Sequence, residues 1–90
     1  MNNNECKRYI KKSLSNLIKS KKVINPENIG LEMDKEINDD KELYIAYAKV
    51  AVHNLCNSAN NITINDVLEE VDIIPRLYSY VQVIHKANTL

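Results

Sequence analysis

Residues 25–55 read NPENIGLEMDKEINDDKELYIAYAKVAVHNL, and the fold turns on how many helices they make. Asn25 is a favourable N-cap, Pro26 suits the first helical position because its missing N–H is an orphan there anyway, and Glu27 places an acid in the first turn. Ile29, Met33 and Ile37 mark one stripe, which Leu43, Tyr44, Tyr47, Val50, Ala51 and Leu55 continue in nearly the same phase. Asn38-Asp39-Asp40 interrupts the run, and Asp39 with Glu42 three residues later reads as a second cap. The stretch is either one helix of about thirty residues or a short helix followed by a long one. Either way, a long central helix is expected within a helical region of about 26–57.

The flanks carry the same period. Upstream, Cys6, Tyr9, Ile10, Leu14, Leu17 and Ile18 recur at intervals of three and four, predicting a first helix over about 4–22. Downstream, Asn57 to Asn61 is a polar connector, and Thr63 with Asp66 forms a capping box beside an Ile62/Val67 staple. Val67, Leu68, Val71 and Ile74 give a short helix over about 64–73. Pro75 is expected to open a last helix over about 75–88, with Leu77, Tyr78, Val81, Ile84 and Ala87 on its stripe. The alternation from Tyr78 to Val83 has the period of a strand, but no partner strand accompanies it. The expected fold is all-α, a single domain of four to five helices. One glycine in 90 residues agrees, since turn-rich sheets need many positions with positive φ.

Twelve basic and twelve acidic residues cancel to a formal charge of zero, yet they are segregated. Residues 1–22 carry a net +6, residues 23–72 a net −8, and the remainder +2. A basic helix on an acidic body either faces that body or offers phosphates a surface. No apolar segment follows the polar N-terminus, so no secretory signal is expected. The longest apolar stretches, Ala46 to Val52 and Val71 to Ile74, are broken by Lys49 and Asp72 and fall far short of the roughly 20 residues that span a bilayer. An intracellular location, cytoplasmic or nuclear, with Cys6 and Cys56 as free thiols, is the expectation.

Chemistry-bearing constellations are sparse. His53 and Cys56 at i and i+3, with Cys6 and His85 elsewhere, lack the tight paired spacing of a dedicated zinc site, so no metal is expected. Asp39, Asp40 and Glu42, and likewise Glu69, Glu70 and Asp72, fall on polar faces or caps rather than in a cleft that would shift a pKa. A single glycine excludes a Gly-rich phosphate loop. Tyr44, Tyr47, Tyr78 and Tyr80 lie on apolar stripes and read as core before they read as base-stacking platforms. No enzymatic activity and no cofactor are expected.

Two resemblances add to this reading. Thr63 through Val81 resembles a helix-turn-helix: a capped first helix with Val67 and Val71 inward, a turn at Asp72-Ile73, and a second helix with Tyr78 and Val81 inward. It implies a regulator using residues 63–82, with Arg76, Ser79 and Gln82 toward the major groove; Leu68 stands where a small residue is usual and Asp72 where glycine is usual. From about Tyr9 to Val83 the chain also resembles the histone fold of DNA polymerase epsilon small subunits and CCAAT-binding factors. The carriers are Leu43-Tyr44-Ile45-Ala46-Tyr47-Ala48, then Asn61-Ile62-Thr63-Ile64-Asn65-Asp66-Val67-Leu68 as second loop and third helix. That resemblance implies a long central helix, a dimer and DNA association. The family's Arg-Lys-Thr in the second loop is replaced by Asn57-Ser58-Ala59-Asn60-Asn61, which leaves Asp66 without the arginine it pairs with in that family.

The sequence thus leads to a non-enzymatic helical DNA-associated module acting in a dimer or larger assembly. Lys7, Arg8, Lys11, Lys12, Lys19, Lys21, Lys22 and Arg76 are the candidate phosphate contacts. Tyr44, Tyr47, Val50, Leu55, Leu77, Val81 and Ile84 are the candidate partner interface, because broad stripes on nearly every helix exceed what a short monomer easily covers. The alternative is a protein-only interaction module (an inhibitor, an immunity-type protein or an assembly subunit) working through the acidic body. No membrane partner is expected.

Overall fold

The computed structural model describes residues 3–38, 40–56 and 62–90. Five helices follow one another: α1 (Asn3–Lys19), α2 (Pro26–Glu36), α3 (Lys41–Cys56), α4 (Ile64–Leu77) and α5 (Tyr80–Asn88). No strand occurs among the described residues. Asp39 and the connector Asn57 to Asn61 lie outside them.

The local signals act as their chemistry dictates. The Asn25 side chain accepts a hydrogen bond from the Asn28 backbone N–H at 2.7 Å and caps α2. At α4, the Asp66 N–H donates to Thr63 Oγ1 and the Thr63 N–H to Asp66 Oδ2, both at 3.1 Å, completing the expected capping box. α1 ends at Lys19, short of the expected 22, because the Lys22 N–H donates to Leu17 O and the Lys21 N–H to Ile18 O while Lys21 takes φ 57. That is a Schellman turn with a lysine in the left-handed position glycine usually fills.

The long central helix does not form. Ile37 is extended at φ −101, ψ 133, and Asp40 is left-handed at φ 55, so the chain reverses between α2 and α3. The reversal lets Ile29 and Met33 of α2 pack into the core that α3 supplies, which a continuous helix would forbid by holding its two halves apart. The longest helix is α1, with 17 residues.

The C-terminal boundaries also differ from expectation. Pro75 lies inside α4, which continues to Leu77, so the turn read at Asp72-Ile73 is helical. The last helix starts at Tyr80 behind its own capping box: the Ser79 N–H donates to Gln82 Oε1 at 2.8 Å and the Gln82 N–H to Ser79 Oγ at 3.3 Å. Pro75 sits in the final turn, where the bond its missing N–H forfeits is one of the last in the ladder.

α3 is the hub. It packs against α2, α4 and α5, and α1 lies across α2 and α4. Tyr44, Ala46, Tyr47, Ala48, Val50, Ala51 and Val52 are buried, roughly two-thirds of its circumference at 3.6 residues per turn. All five helices contribute to one core that includes Ile10, Leu14, Ile29, Met33, Tyr47, Val67, Val71, Ile74 and Val83. The radius of gyration is 11.6 Å, close to the about 12 Å of a compact domain of this length. The chain therefore covers most of its own stripes. Tyr44, Tyr47 and Val50, expected at a partner interface, are 2 % exposed or less and belong to this core. Leu55 and Ile84 are half-buried against it.

The single glycine, Gly30, lies in α2 against α3. A Cβ built there would stand 2.7 Å from Lys49 Cε, so the lysine stem occupies the space a side chain would take.

Among the described residues two polar atoms in the core are orphans: Ser13 Oγ and Tyr47 OH are buried without a hydrogen-bond partner. A buried unsatisfied hydroxyl costs about 1–3 kcal/mol, so Tyr47→Phe should raise the thermal midpoint by an amount equivalent to about 1 kcal/mol in calorimetry. Burial also pushes the Cys6 thiol from 9.0 up to about 12, against an opposing pull from Lys7. Burial, then Tyr80 and Cys6, raise the Tyr47 hydroxyl above 10.0. Both groups are held neutral by the fold, so their stabilising effect is complete below the unfolded values and is lost as pH climbs through the folded ones. Denaturant unfolding should therefore lose up to roughly 1.4 kcal/mol per pH unit from Cys6 between about pH 9 and 12, with Tyr47 adding to the loss only above its own ordinary value of 10.0. Cys6→Ala should make that slope shallower, whatever it does to stability at neutral pH.

Candidate nucleic-acid interface

α1 buries Cys6, Ile10, Ser13, Leu14 and Leu17 and turns its other face outward. On that face Arg8, Lys11, Ser15 and Lys19 succeed one another at intervals of three and four, with Lys12 beside them, forming one stripe. Arg8 to Lys19 spans about 16 Å at 1.5 Å per residue. Lys21 and Lys22 prolong it beyond the Schellman turn, and all six cations are exposed.

The structure separates the eight candidate phosphate contacts. Lys7 is fastened to Asp72 of α4 at 2.5 Å, with its side chain 27 % exposed, so it ties α1 to the body. Lys12 reaches Glu36 of α2 at 3.0 Å while remaining largely solvated. Arg8 stands 5.5 Å from the centre of the Tyr9 ring. Lys11, Lys19, Lys21 and Lys22 make no ion pair among the described residues. Arg76 lies on α4 and belongs to a different face. The basic helix thus gives two cations to its own acidic body and turns the remainder to solvent.

The helix-turn-helix arrangement is not brought together. Its turn is inside α4, and the Ser79 and Gln82 side chains are both engaged in capping α5. Several acids are committed as well. Asp66 caps α4, Glu70 accepts from Asn54 Nδ2 at 3.3 Å, Asp34 pairs with Lys41 at 3.2 Å and Glu32 with Lys35 at 3.6 Å.

A second feature escaped the sequence reading. An open groove of about 660 Å³ runs between α2 and α3, lined by Glu27, Gly30, Asp34, Ile45, Lys49 and His53 among others. Its wall mixes both charge signs and holds no hydroxyl or thiol nucleophile. The only sequence signal for it was a lone glycine inside a helical pattern. Among the described residues no three potential metal ligands cluster, and no helix is long and apolar enough to cross a membrane. Cys6 is buried and Cys56 exposed, both free.

Compared with family models, with curated proteins and with solved structures, the chain matches none.

Lys21 keeps its charge at a backbone cost, because a left-handed L-residue is disfavoured by about 1–2 kcal/mol. Lys21→Gly should relieve that strain and stabilise the fold by up to about 1 kcal/mol after allowing for the freer unfolded chain. A shift of the urea midpoint at unchanged slope is the measurement.

Proposed function

We propose that the chain is a non-enzymatic helical module that associates with nucleic acid through the phosphate backbone, using the outer face of α1. The observation that carries this reading is the exposed stripe of Arg8, Lys11 and Lys19, continued by Lys21 and Lys22, in which three lysines of the helix end and one of its middle have no ion-pair partner among the described residues. A duplex presents one negative charge per about 1.7 Å of axis, so a cationic line some 16 Å long meets several phosphates at once. Long flexible lysines neutralise phosphate without reading base edges, so binding follows salt rather than sequence.

The protein-only reading rests on the acidic body. Asp72 and Glu36 of that body already face Lys7 and Lys12 of α1, which weakens its field and favours the rest of the α1 surface.

Fluorescence anisotropy with a labelled duplex of random sequence tests the proposal. Engagement of five cations gives a slope of log K against log salt of about −4.5, and Lys11→Glu with Lys19→Glu should make it shallower by about 2. Lys35→Glu, an exposed reversal on α2, changes the net charge without touching the stripe and should have little effect. Absence of binding at low salt, or equal losses from reversals on α1 and α2, would sink the reading.

A further inference from the structure

α4 turns Val67, Val71 and Ile74 inward and leaves a second face to solvent. On it Ile73 is 41 % and Leu77 64 % exposed, and Val81 follows at 78 % beyond the corner into α5. Glu69 and Arg76 flank Ile73, four residues before it and three after. Both are exposed, and neither enters an ion pair among the described residues. Seven residues apart, they sit about 10 Å from each other along the axis, too far to neutralise one another within the helix. The other acids of α4 are engaged inside the chain: Asp72 with Lys7, Glu70 with Asn54, Asp66 in the cap.

This face is complementary to itself. We infer that α4 is the interface of a symmetric dimer of this chain, formed by antiparallel packing of α4 on the α4 of a second copy about a twofold axis near Ile73. In that arrangement each Glu69 meets the Arg76 of the second copy, the two Ile73 side chains meet at the axis, and the Leu77 of each copy flanks them over the far end of the partner helix. A parallel pairing sets like charge on like. An isologous contact requires the same patch to supply both partners, and a helix acidic at one end, basic at the other and apolar between them does so. The inference shares no residue with the α1 stripe and does not rest on the nucleic-acid reading.

Sedimentation velocity from micromolar to submillimolar chain, without nucleic acid, tests it. The wild type is expected to shift from monomer to dimer with concentration. Glu69→Arg and Arg76→Glu, both at exposed positions, should each lower the association constant about 10-fold or more, since each sets like charges together twice across the axis. Mixed one to one, the two variants should dimerise again, because every Arg then faces a Glu. Leu77→Lys should abolish the dimer while the far-ultraviolet circular dichroism stays that of the wild type. A wild type that remains monomeric throughout overturns the inference. Single reversals that dimerise like the wild type remove α4 from the interface, and a mixture that stays monomeric overturns the antiparallel geometry.

Discussion

A helix that is apolar around two-thirds of its circumference cannot lie on a surface, and α3 is such a helix. Ala46, Ala48 and Ala51 between Tyr44, Tyr47, Val50 and Val52 leave only the side of Glu42, Lys49, His53 and Cys56 fit for water. Satisfying it takes neighbours on several sides, and α2, α4 and α5 supply them, while the small alanines let those neighbours come close. α1 then closes over α2 and α4 with Cys6, Ile10, Leu14 and Leu17 inward. Once α1 is placed that way, Lys7 and Lys12 reach the neighbouring helices and its other cations are left facing outward. The position of the charge is a consequence of the core.

Much of this was legible. Asn25, Thr63 and the intervals of α1 specify their helices by local chemistry, and the structure follows them. Where the reading went astray, two local signals competed. Ile37 and Leu43 fall in nearly one phase, so periodicity alone reads through the break; the reversal is decided by burial of α2 against α3, a tertiary term. At the C-terminus the weight given to Pro75 as a helix opener hid the Ser79–Gln82 box four residues on, although a serine followed by glutamine at the third position is a cap signature in its own right. Tyr44, Tyr47 and Val50 were assigned to a partner because a stripe does not say whether its cover comes from the same chain. The charge segregation was visible, but the fastening of Lys7 and Lys12 to Asp72 and Glu36 required helices brought together from distant parts of the sequence.

The two proposed surfaces are neighbours, because α1 packs on α4 and the Lys7–Asp72 pair bridges them. Pairing through α4 brings two α1 stripes into one particle. With both proposals in place, two phosphate-binding lines in one particle would act with an effective concentration in place of a second bimolecular step, so modest single-stripe affinity would suffice for useful occupancy. A net charge of zero leaves little long-range repulsion to oppose self-association, while the field outside the α1 stripe is set locally by its own cations.

Gly30 has one more consequence. The atom that a new side chain would strike is the far end of Lys49, a group free to swing into the open groove, and no backbone lies in its path. The spacing of α2 and α3 is therefore buffered against mutation at the glycine of α2. The chain holds there an evolutionary reserve: a place to gain rigidity by one substitution, at the expense of the lysine's present resting place and of nothing in the core.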